Sequence, residues 1–139
     1  MWWKVYALLA ALFAALTAIC AKIGVEKIDS NLATGIRTLV VLILIWGIVF
    51  STVGVTEIKS LSAKNWTFLI LSGLATGLSW KFYFAAIQLG SVSRVAPIDK
   101  LSIVLTIVLS FVVLGEAVTW QAVCGGLLIA AGTLCMIWR

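Results

Sequence analysis

The chain has 139 residues, 63% of them hydrophobic and only 11% charged, with a mean hydropathy of +1.20. A soluble domain is roughly half apolar and about a quarter charged, so this chain has too little polar surface to cover a water-soluble globule. Its net charge of +5 comes from basic residues scattered as singles or loose pairs, not the runs of a nucleic-acid patch, and no nucleic-acid partner is expected.

A helix needs roughly twenty mostly apolar residues to cross a hydrocarbon core about 30 Å thick. Five segments meet that length: 5–23, 32–53, 66–89, 95–114 and 118–138. They are continuous apolar runs, not the short alternating strands of a barrel. The expected fold is therefore an all-α integral membrane protein, one transmembrane domain over 1–139, with the lipid bilayer as its first partner.

The first span follows Lys4 and ends at Lys22 without a small-residue cleavage pattern, so it reads as a retained helix and not a signal peptide. Span two carries Arg37 near its start. Span three carries Lys81, about 12 Å from its end at 1.5 Å per residue. It also carries a stripe at helical spacing: Gly73, Gly77, Lys81, Phe84 and Gln88. Span four opens with Pro97, Asp99 and Lys100, followed by Ser102, Thr106 and Ser110 on one face. Pro97 stands either at a kink or in the first turn, and the first-turn reading is preferred because 97–114 still spans about 27 Å. In span five, Gly125 and Gly132 share a face, and Gly126 begins a small-xxx-small pattern. Trp2, Trp3, Trp66, Trp120 and Trp138 fall near span ends, where indole rings favour the interface.

Short connections at 24–31, 54–65, 90–94 and 115–117 make successive helices antiparallel. The side holding the first loop, here side B, carries Lys22, Lys27, Arg37, Arg94, Lys100 and Arg139, against Lys4, Lys59 and Lys64 on side A. That bias leans N-terminus out and C-terminus in, but it nearly vanishes if Arg37 and Lys100 lie too deep to count.

Ionisable groups inside a membrane usually face a bundle interior or an aqueous path. The candidate substrate-pathway residues are therefore Lys81, Asp99, Arg37, Lys100, Gln88, Ser102 and Thr106, with snorkelling of the long cationic chains as the alternative. Lys81 and Asp99, on helices joined by a short turn, are expected to pair. Positive groups outnumber negative ones, which favours an anionic or zwitterionic small-molecule ligand. There is no histidine, and Cys20, Cys124 and Cys135 lie in apolar runs without ligand spacing. No metal site is expected. No nucleophile–base pair or phosphate-cradling loop is present either, so no catalytic residue and no cofactor are expected.

The stretches "NLATGIRTLVVL" and "SRVAPIDKLSIVLTIVLSFVVLGEAVTWQAVCGGLLIAAGTL" resemble the EamA family of the drug/metabolite transporter superfamily. The likeness covers almost the whole chain and corresponds to one five-helix repeat, whereas full-length members carry two repeats of opposite orientation. It implies export or exchange of small molecules across a bacterial inner membrane, with four helices lining a cavity and the fifth outside or at a seam. Glu116, in "LGE", matches a recurrent family position at the turn into the last helix and reads as a structural residue. Small multidrug exporters of the superfamily use a glutamate in their first helix, and span one has none. The expectation is a half-size transporter working as an antiparallel homodimer. A lipid-linked carrier flippase and a non-transporting subunit remain as alternatives.

Overall fold

The computed structural model describes residues 2–138, with only the backbone given for Val55, Thr56 and Lys59. Arg139 and the Lys59 side chain, both counted in the charge bias, lie outside the described residues. The helices are α1 (Trp2–Gly24), α2 (Ser30–Thr52), α3 (Ala63–Leu89), α4 (Val92–Asp99), α5 (Leu101–Val113) and α6 (Trp120–Ile137), with a 3₁₀ helix at Val55–Ser60. Taking α4 and α5 together as Val92–Val113, five helical segments are long and apolar enough to cross a membrane. The observed starts at Trp2, Ser30, Ala63 and Val92 precede the expected ones by two or three residues. The polar first turns carry no hydropathy signal, and their signal is the cap instead. Asp29, at the N-cap of α2, accepts from the Asn31 and Leu32 amides at 2.8 and 3.2 Å, and Thr119 caps α6 through the Ala122 amide at 3.3 Å.

The chain divides into two compact units, Met1–Gln88 and Leu89–Arg139. In the first unit the buried apolar side chains are Ala18, Ala21, Val25, Ala33, Phe84 and Ile87. All lie near the side-B ends of α1, α2 and α3 or in the first turn. The side-A halves keep their Leu, Ile, Val and Phe exposed, as a surface solvated by hydrocarbon demands.

The second unit packs α4, α5 and α6 together. Here Pro97 is the sixth residue of α4 and not a first-turn residue, which corrects the preferred reading. Proline lacks the amide that would bond to Ser93 and crowds the preceding turn. The helix breaks at Lys100, whose amide bonds to Ala96 and Pro97 at 3.3 and 3.1 Å. Thr133 of α6, only 4% exposed, donates to the Pro97 carbonyl at 3.3 Å and to Ile129 at 2.8 Å. Gly126 faces α5, where an added Cβ would lie 3.6 Å from Ile107 Cδ1, whereas Gly125 and Gly132 face open space.

After α5 the chain turns at Gly115, φ 66°, and the Glu116 amide returns to the Ser110 carbonyl at 3.2 Å. Glu116 itself is exposed in the connection to α6. The left-handed conformation costs a residue with a Cβ about 1–2 kcal/mol, and space is not limiting at this position. Gly115→Ala should therefore lower stability by about 1 kcal/mol, while Gly47→Ala, equally open but within α2, should be neutral or slightly stabilising. Thermal unfolding of the two variants in detergent compares them directly, and equal melting points would contradict the assignment.

Candidate functional site: the cavity at the side-B end of the first three helices

In the first unit a cavity of about 330 Å³ lies among the helix ends. Thr17, Cys20, Ala21 and Gly24 of α1 form one wall, Ala33, Ile36 and Arg37 of α2 another, and Ile28 of the turn between them and Phe84 of α3 complete it. Arg37, seven residues into α2, lies about 10 Å along the helix. Its guanidinium carbon stands 4.0 Å from the Trp80 ring centroid and 5.3 Å from that of Phe84. A charge at the bilayer centre costs about 2.5–3.5 kcal/mol on insertion scales. Cation–π contacts contribute about 0.5–2 kcal/mol each, enough to hold a shallower guanidinium against α3. Arg37 is therefore packed within the unit.

Trp80, Phe84, Ile87 and Gln88 form the face of α3 that meets its neighbours. The sequence stripe placed Lys81 with Phe84 and Gln88. In the structure Lys81 is exposed at the edge of that face, its ammonium 5.9 Å from the Phe82 ring centroid.

Gln88 carries a part that the sequence did not announce. Its amide nitrogen donates to the Ile28 carbonyl at 2.6 Å and to the Val25 carbonyl at 3.3 Å. Lys22 reaches the other way, from α1 to the Ile87 carbonyl at the end of α3. Between the two carbonyls that Gln88 holds lies Lys27, in the left-handed region at φ 67°. A non-glycine residue persists there only where its surroundings over-determine the turn. Lys22, Glu26, Lys27 and Gln88 also line a polar recess of about 410 Å³ beside the turn.

The remaining candidates belong to the second unit. Asp99 pairs with its neighbour Lys100 at 3.3 Å. Ser102 and Thr106 are exposed, and the Thr106 hydroxyl donates to the Ser102 carbonyl at 2.8 Å. Sequence reasoning passed over Cys20 and Trp80 as site residues, and Lys22 and Thr133 as tying residues. A ring that covers a guanidinium from another helix has no spacing signature along the chain. Of the three thiols, Cys20 and Cys135 are exposed and Cys124 is half-buried.

Among the described residues, five membrane-length helical segments define a multi-pass membrane protein. The chain belongs to the EamA-like transporter family, whose model matches residues 1–138. It is 48% identical over 132 residues to a Sinorhizobium sp protein described as "Uncharacterized transporter in cobO 3'region", a match covering 95% of this chain and 94% of that protein. No solved structure matches it. It is a membrane transporter.

Gln88→Glu keeps the size of the side chain but replaces the donor with a carboxylate facing two carbonyls. It should destabilise the protein by about 0.5–1.5 kcal/mol, since the two carbonyls lose a donor and face a carboxylate instead. Gln88→Asn, a shorter donor, should cost less. Unfolding temperatures that rank these two variants in the reverse order would contradict the tie.

Proposed function

We propose that the chain is a half-size transporter of small organic anions or zwitterions in a bacterial inner membrane, its residues 1–139 acting as one EamA-like domain and two copies forming an antiparallel homodimer. The observation that carries the reading is Arg37, a half-buried guanidinium in the wall of an otherwise apolar cavity at membrane depth. A cavity with a single sign of charge concentrates its counter-ion. The first unit contributes Arg37, Lys81 and Gln88 to the pathway, and the second contributes Asp99, Lys100, Ser102 and Thr106.

Assembly follows from the repeat count. Inverted-repeat transporters place their site at the interface of two repeats related by a pseudo-two-fold in the membrane plane. One five-helix repeat rebuilds that arrangement when two copies insert in opposite directions, and the modest charge bias tolerates both orientations. The Sinorhizobium relative, matched over 94% of its length, is likewise of one-repeat size. Gly125 and Gly132 of α6 present open backbone suited to the seam, whereas Gly126 is already engaged with α5.

Two measurements test this. A single reporter cysteine at the C-terminus, in a background lacking Cys20, Cys124 and Cys135, should label from both faces of the inner membrane. Labelling from one side only removes the antiparallel homodimer. In proteoliposomes, uptake of organic anions should exceed that of quaternary ammonium compounds. Transport confined to the latter and indifferent to Arg37→Gln would remove the charge assignment.

A further inference from the structure

We infer that the first-unit cavity binds a hydrophobic monocarboxylate, the carboxyl group on Arg37 and the apolar body against Ala21, Ile36 and Phe84. This deepens the transport reading above and rests on it for biological purpose, though not for the binding itself.

Three features of the cavity converge on that chemistry. The first is the state of the guanidinium. Trp80 stands 4.0 Å from its central carbon and Phe84 5.3 Å, so rings shield the cation while its N–H groups lie around the planar edge. A guanidinium edge presents parallel donors in the geometry of a carboxylate, and such bidentate pairs are stronger than neutral hydrogen bonds. The second feature is the absence of a counter-charge. None of the residues lining the cavity is acidic, and the polar groups on its wall besides Arg37 are the Thr17 hydroxyl and the Cys20 thiol. An α-ammonium group brought in beside the carboxylate would be desolvated without an anionic partner. The cavity therefore selects against amino acids and cations, and narrows the anion-or-zwitterion class to anions. The third feature is size. At about 30 Å³ per water-sized group, 330 Å³ holds about eleven such groups. That suits an aryl or branched-chain acid and is small for a lipid-linked sugar.

Cys20 supplies the reporter, because its exposed side chain lies on the cavity wall. The full chain carrying Cys124→Ala and Cys135→Ala, in lipid nanodiscs, is labelled at Cys20 with a small maleimide in the presence of competing probes. The probes are 3-phenylpropionate, its neutral amide 3-phenylpropanamide, phenylalanine, and phenylphosphate. The carboxylate should slow labelling at concentrations at least about tenfold lower than the amide or the amino acid, as the loss of one charge-assisted pair requires. Arg37→Gln should abolish the difference between acid and amide, and Arg37→Lys should retain part of it.

Equal protection by acid and amide, or by acid and phenylalanine, overturns the inference. So does a preference for acid over amide that persists in Arg37→Gln. Protection by phenylphosphate alone overturns the carboxylate assignment in favour of a phosphate ligand. The wild-type arginine comparison among probes stands even if both Arg37 variants fail to fold. Uptake of organic anions into proteoliposomes with Cys20 unprotected sinks this site and spares the transporter reading. Protection of Cys20 without uptake of any anion supports the site and sinks the proposal that anions are the transported substrates.

Discussion

Lys22 and Gln88 reach across the same gap in opposite directions. The lysine of α1 donates to the Ile87 carbonyl near the end of α3, and the glutamine of α3 donates to the turn that joins α1 to α2. Lipid offers helices no hydrophobic reason to associate, since hydrocarbon solvates an apolar face as well as another helix does. Polar ties and close contacts must supply the order instead, and in the first unit both gather at the side-B end. Ala18, Ala21, Ala33, Phe84 and Ile87 are buried there, and the turn at Lys27 is held in a conformation that an L-residue avoids. The cavity with Arg37 forms among these same helix ends.

The second unit meets the same constraint differently. Pro97 breaks the fourth span at Lys100. Thr133 ties the facing helix to the break through the Pro97 carbonyl, and Gly126 lets that helix come close to Ile107. The break leaves Asp99 and Lys100 at the junction of two helical pieces, paired with each other. Discontinuous helices with polar residues at their break recur where transporters hold their cargo.

Much of this architecture was legible in the chain. Apolar runs with tryptophans at their ends gave the number of spans and the fold class, because bilayer thickness fixes helix length and only internally bonded backbone survives in hydrocarbon. The likeness of the last two spans to the EamA family agreed with the match over residues 1–138. Arg37 and Gln88 stood out as polar residues in apolar runs. The helix starts did not, since Asp29 and Thr119 act through capping bonds to backbone amides that hydropathy does not register.

Composition and periodicity thus determined that the chain crosses the membrane five times and which side chains are chemically conspicuous there. Only the tertiary structure decided what those side chains do. It made Gln88 a donor to a distant turn, set Arg37 against Trp80, left Lys81 at the exposed edge of its helix, and moved Pro97 from a helix start to a break. The physical reason is that length and polarity are properties of a segment read against the solvent. A hydrogen-bond partner or a covering ring comes from residues as far apart as Val25 and Gln88, and no local pattern encodes that meeting.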